Sequence, residues 1–159
     1  MSESSNIESG GTTNESGRPS STARFPVVGV GASAGGLEAF LELLRSLPPD
    51  TGLAFVLIQH LDPTHPSYLS EALGRATSLP VHEISDGTQI EPNHVYVIPS
   101  DADVGILKGT LTLLPRGSDE RKLHLPTDFF FKALAADLGS QAIGVALSGT
   151  GSDGAEGLR

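Results

Sequence analysis

The chain has 159 residues, with 19 acidic against 10 basic side chains, a formal net charge of −9 and no cysteine. That length suffices for one domain with a substantial core, and the missing cysteines exclude disulfides, zinc–thiolate sites and thiol nucleophiles. The charge argues against nucleic-acid binding, which needs clustered Lys and Arg; the adjacent basic pair, Arg121-Lys122, is flanked by Asp119 and Glu120. No stretch approaches the roughly 20 apolar residues needed to span a bilayer, so no membrane insertion is expected and the expected location is the cytoplasm.

Residues 1–24 are almost wholly Ser, Thr, Gly, Asn and Glu, without hydrophobic periodicity. Such a segment cannot bury enough apolar surface to offset its ordering entropy. It also lacks the basic start and apolar centre of a secretory signal. It reads as a disordered polar leader before a folded domain over 25–159. Pro26-Val-Val-Gly-Val opens a short β-branched strand over 26–31. Leu37, Phe40, Leu41, Leu44 and Leu47 then recur at helical spacing, predicting an amphipathic helix over 36–47 that Pro48-Pro49-Asp50 ends. Residues 53–59, LAFVLIQ, form a continuous apolar run of the parallel-sheet type. A helix follows over 66–77, with Tyr68, Leu69, Ala72 and Leu73 on one face, then a short third strand over 81–84.

The pattern turns β-rich in the middle of the chain. Asp86-Gly87, Pro92-Asn93 and Lys108-Gly109 are turn signals. The run 94–99 lies between them, and the runs 104–107 and 110–114 flank Lys108-Gly109 as a hairpin. Thr127 is the expected N-cap of a helix reaching Leu138, with Gly139 as its stop. Residues 142–147 predict another buried strand, followed by a glycine-rich loop over 148–154 and the first turn of a further helix. The sum is an α/β domain, doubly wound, with a mostly parallel sheet and an inserted β-hairpin region. Ligands in such sheets bind beyond the C-terminal strand ends. Three loops share that edge: the turn after 26–31, the Gln59-His60 junction, and the loop 148–154.

Gly31-Ala-Ser33-Ala-Gly35 fits G-x-S-x-G in the strand–turn–helix setting of a nucleophile elbow. On pattern alone the default is a serine N-cap in a glycine-rich turn. The same residues also fit a dinucleotide fingerprint, Gly29-x-Gly31-x-x-Ala34. That pattern wants an acidic residue at the end of the second strand, where Gln59-His60 stands instead. His60 shares the strand-end edge with Ser33, so its imidazole is the candidate base for the serine hydroxyl; a lone strand-end histidine is otherwise satisfied by water. His65, His82, His94 and His124 lack that placement. Asp153 sits at the same edge and is the candidate carboxylate for orienting the imidazole, although Asp-Gly is also a common turn pair. Asp101 and Asp103 read as a solvated loop. No HExxH, EF-hand or Walker pattern occurs.

The chain resembles the CheB-type protein-glutamate methylesterases of bacterial chemotaxis. The resemblance rests on VVGVGASAGGLEAF (27–40), VLIQHLDP (56–63), EPNHVYVIP (91–99), LPTDFFFKALAAD (125–137) and AIGVALSGTGSDGAEG (142–157), in the family's order. The wording QHLDPTHPS and HLPTDFFFKALA is most similar to the methylesterase module of CheB–CheR hybrids, which fuse it to a receptor methyltransferase. The resemblance implies a catalytic triad of Ser33, His60 and Asp153. Backbone N–H groups around Ala34 at the helix start are the candidate oxyanion hole for that chemistry, and Thr150 is a candidate to line the pocket. The resemblance also implies hydrolysis of glutamate methyl esters on the cytoplasmic helices of chemoreceptors, deamidation of particular glutamines, and neither cofactor nor metal. Two departures qualify it. A polar leader stands where many relatives carry a phosphorylated receiver domain, so control by phosphorylation is not expected. The chain stops at Arg159, before the last helix and strand of the family's domain, so that domain is expected to be C-terminally incomplete. A truncated remnant that only binds a receptor or partner domain is therefore the alternative to an enzyme, and nucleotide binding through the glycine-rich turn is a third reading.

Overall fold

Continuous apolar runs become interior strands of a parallel sheet when both faces are covered, since no position is left for a solvated side chain. The computed structural model describes residues 25–33, 35–59, 68–115, 125–147 and 152–159; the leader expected over 1–24 lies outside them. In chain order these form β1 (Val27–Ala32), α1 (Gly36–Ser46), β2 (Ala54–Gln59), α2 (Leu69–Gly74), β3 (Val81–Glu83), β4 (Thr88–Gln89), β5 (Val95–Val97), β6 (Ala102–Leu107), β7 (Thr110–Pro115), α3 (Pro126–Leu138), a 3-10 turn (Gly139–Gln141) and β8 (Ala142–Ala146). β3, β5, β2, β1 and β8 make one sheet in that order, and β4, β7 and β6 a second. Every pairing in the five-stranded sheet is parallel, and both pairings in the three-stranded sheet are antiparallel.

Side chains alternate across the parallel sheet. Val28, Val30, Phe55 and Leu57 join Phe40 and Leu44 of α1 and Leu69 and Leu73 of α2 in one core. Val27, Ala54, Val56 and Ile58 join Phe130, Phe131, Leu134 and Leu138 of α3, with Val104, Ile106 and Leu111 of the small sheet, in the other. The fold is therefore doubly wound, with α1 and α2 on one face and α3 and the small sheet on the other. β1 is flanked by β2, reached through α1, and by β8, reached through α3. Helices on opposite faces thus diverge at β1, which makes the C-terminal end of β1 the topological switch point.

Several expectations are corrected. β8 is a half-exposed edge strand, with Ile143 40% exposed, because among the described residues it pairs with β1 alone. The hairpin around Lys108-Gly109 recruits β4 into a separate sheet. Asp103 lies within β6 and is half-buried, whereas Asp101 is an exposed turn residue. α2 ends at Gly74, short of the expected 77. Residues 153–158 form successive turns and no helix.

Candidate active site

The C-terminal ends of β1, β2 and β8 lie side by side. Ala32 pairs with Gln59 and Gly31 with Ala146, and the Leu147 N–H donates to the Gly31 carbonyl at 2.8 Å. Ser33 therefore leaves the sheet at the switch point. The Gly36 N–H donates to the Ser33 carbonyl at 2.8 Å, closing the turn into α1. The N-cap of α1 is Gly35, with no side-chain cap. The reading of Ser33 as an ordinary N-cap is thereby corrected: it stands two residues before the cap, in the elbow, and is half-buried.

Asp153 is seen in detail. Its Oδ2 accepts the Thr127 N–H at 3.1 Å and its Oδ1 accepts the Asp128 N–H at 2.9 Å. These are the second and third residues of α3, whose own N-cap position is Leu125, a residue without a capping oxygen. A helix start leaves such N–H groups unpaired, and the positive end of the helix favours a carboxylate there. Asp153 thus caps α3 from a distant segment, which corrects the expectation that Thr127 does so. Two of its four acceptor positions are taken by amides, which fixes the carboxylate plane and leaves acceptor capacity for an imidazole N–H.

Thr127 ties the two candidate residues' segments together. A Cβ added at Gly31 would lie 2.2 Å from the Thr127 Cγ2, and one at Gly154 would lie 3.0 Å from the same methyl. The threonine methyl occupies the space that both glycines vacate, two residues before Ser33 and one after Asp153. The rims of β1 and of the Asp153 segment meet there. Gly29 and Gly31 consequently serve helix packing: both lie within β1, and Gly29 faces Phe130, Phe131 and Leu134 at 3.1 Å from a built Cβ. A dinucleotide fingerprint needs its second glycine open to a pyrophosphate, and here α3 occupies that side.

His60, Ala34 and Thr150 lie outside the described residues, as do His65 and His124. His94 precedes β5, at the opposite end of the parallel sheet from Ser33. It stacks with His82 of β3 at a centroid distance of 5.5 Å, so both are removed from the rim. Two buried polar residues near the strand ends lie within the motifs but receive no role from them. Gln59 closes β2 at 6% exposure and Asp128 sits in the first turn of α3 at 4%. The signal for Asp128 is an acid directly before three phenylalanines, at a position normally read as a solvated helix start.

A family model described as CheB methylesterase matches residues 28–159. A protein-glutamate methylesterase/protein-glutamine glutaminase 2 of Xanthomonas oryzae pv. oryzae (strain MAFF 311018) is 36% identical over 147 residues, covering 88% of this chain and 41% of its own length. A protein-glutamate methylesterase/protein-glutamine glutaminase of Yersinia pestis bv. Antiqua (strain Antiqua) is 34% identical over 135 residues, covering 83% of this chain and 38% of its own length. The chain thus spans about two fifths of these relatives. Among solved structures, the Thermotoga maritima CheB methylesterase catalytic domain superposes with a TM-score of 0.74 at 29% identity, over 85% of this chain and 73% of that one.

Proposed function

This chain belongs to the CheB methylesterase family, and we propose that it is a serine esterase that hydrolyses glutamate methyl esters on chemoreceptors and deamidates glutamines there. The observation that carries the proposal is the meeting of the Ser33 elbow and the Asp153 segment on Thr127 at the switch point. A hydroxyl and a fixed carboxylate on one rim, with His60 following directly on Gln59, supply the parts of a hydrolytic triad.

The assigned steps follow from those parts. The Ser33 Oγ attacks the ester carbonyl while His60 takes its proton, and backbone N–H groups around Ala34 at the start of α1 receive the oxyanion. The tetrahedral intermediate collapses, the C–O bond to the methoxy group breaks, and His60 returns the proton so that methanol leaves. Water then attacks the acyl-enzyme, giving up a proton to His60, and glutamate is released as Ser33 is restored. Glutamine follows the same path with ammonia as the leaving group. Asp153 holds the imidazole tautomer and stabilises its charged form, and Thr150 lines the pocket.

The relatives' names support glutamate methyl esters and glutamines of a protein as the substrate, and the resemblance of the sequence motifs to the CheB-type methylesterases supports the cytoplasmic helices of a chemoreceptor as the partner, and hence a cytoplasmic location. Among the described residues no helix is long and apolar enough to cross a membrane. The QHLDPTHPS and HLPTDFFFKALA wording supports a CheR-type methyltransferase as a fused or associated domain. The deciding test is methanol release from a methylated receptor fragment. Ser33→Ala is expected to lower it by at least about 10³-fold, with the thermal midpoint little changed because the side chain lies in a turn outside both cores. Methanol release that survives the substitution would overturn the assignment.

A further inference from the structure

We propose that Asp128 is a positioning residue: its buried carboxylate anchors the 152–157 segment to α3 and thereby fixes Asp153. What Asp153 does chemically rests on the methylesterase reading; the anchor itself does not.

Burying a carboxylate carries a large desolvation cost unless hydrogen bonds and charges compensate it. Asp128 is 4% exposed, yet compensation is incomplete. Its Oδ1 accepts the Gly157 N–H at 2.6 Å, while among the described residues its buried Oδ2 has no hydrogen-bond partner. A well-packed apolar side chain would stabilise the fold better than this half-satisfied charge. The bond to Gly157 is therefore the feature that needs a purpose.

That bond completes a reciprocal pair. The Asp128 backbone N–H donates to the Asp153 carboxylate, and the Asp128 carboxylate accepts from Gly157, four residues further along the same segment. Two attachments four residues apart set the orientation of the segment as well as its position. A helix capping box works by the same reciprocity within one segment; here it joins two. Gly157 fits the purpose independently. A Cβ there would lie 2.7 Å from the Phe131 Cβ and 3.0 Å from the Asp128 Cα, so glycine lets the segment's backbone rest directly on the first turns of α3.

The test uses the full chain and two readouts, amide hydrogen exchange by NMR and methanol release. The Thr127 N–H is a helix-start amide whose partner is Asp153, so its protection reports whether Asp153 is held. In Asp128→Ala, Thr127 protection is expected to fall at least tenfold while amides of β1 and β2 keep theirs. The kcat should fall about 10²-fold, the scale of an ångström-sized misplacement, with KM unchanged. Asp128→Asn keeps the Oδ1 acceptor and should restore both readouts. Asp128→Ser keeps a small polar side chain in the first turn but is one bond too short, so it should match the alanine variant and serves if that variant fails to fold. Thr127 protection unchanged in the alanine and serine variants overturns the anchor. Protection lost with kcat unchanged overturns the positioning role. Protection lost in a protein whose wild type releases no methanol supports the anchor and refutes the esterase reading.

Discussion

On the α1–α2 face of the parallel sheet, β1 and β2 present Val28, Val30, Phe55 and Leu57 to Phe40, Leu44, Leu69 and Leu73. On the α3 face the same strands present Val27, Ala54, Val56 and Ile58, and β1 contributes Gly29 and Gly31. The first face is filled by side chains on both sides, so its spacing follows from their volumes. The second is partly filled by the absence of side chains: Gly29, Gly31, Gly154 and Gly157 each leave room for an atom of α3. That difference decides where the chemistry can be held. A helix that sits on Cα atoms has its distance from the sheet set by the backbone, and its first turn delivers two N–H groups to Asp153. The α1–α2 face supplies stability, whereas the α3 face supplies geometry.

Three substitutions would break or sharpen this division. Phe40→Ala removes a fully buried ring from the first face and should cost about 3–5 kcal/mol, the largest stability loss expected here. Denaturant unfolding measures it, and kcat for the folded fraction should stay within about twofold. A large fall in kcat would mean that the two faces do not divide the labour. Gly31→Ala is smaller in stability, about 1–3 kcal/mol as an overpacking defect, but it should lower kcat about 10²-fold. Its Cβ would stand 2.2 Å from the Thr127 Cγ2, so the threonine and the amides behind it must shift. Thr127→Ser removes that methyl and should rescue Gly31→Ala, with a coupling of about 0.5–3 kcal/mol in a double-mutant cycle. Additive effects would place the two residues out of contact.

How much of this was legible in the sequence follows the same division. The elements of the first face announce themselves locally: the helical spacing of Phe40 and Leu44, and the apolar run ending at Gln59. The turn at Lys108-Gly109 was equally readable, since both residues adopt positive φ, 52° and 70°, the requirement of a tight hairpin. The candidate triad comes from motif and strand order; Ser33 follows β1, and Asp153 accepts the first-turn amides of α3. The α3 face was less legible because its determinants are distant in sequence. Thr127 looked like a cap because Ser and Thr usually serve that purpose, but the capping carboxylate comes from Asp153, 26 residues away from it. Glycines at 29 and 31 resembled a phosphate-binding turn because sequence does not say what fills the space they leave. β4 is two residues long and exists only by pairing with β7, a contact no local pattern encodes.

The smallest effect sharpens the α3 side of the comparison by asking whether the Tyr96 hydroxyl behaves as a core group. Tyr96 of β5 belongs to the same cluster as Phe130 and Leu134 and is 2% exposed. Its hydroxyl accepts the Glu91 N–H at 2.9 Å. Burial raises its pKa above the ordinary 10.0; the hydrogen bond from the Glu91 backbone opposes that shift, and the Glu91 charge adds to it. The neutral phenol is thus favoured in the folded state, so its contribution is fully present below the unfolded value and is lost as pH rises through the folded one. Unfolding measured from pH 8 upward should show wild-type stability declining above about pH 10, beyond what other groups contribute. Tyr96→Phe should cost about 1 kcal/mol at neutral pH through the lost acceptor and should flatten that alkaline decline. An alkaline limb identical in both proteins would mean that the phenol meets solvent in the folded state, and that the α3 face is less tightly closed at β5 than at β1.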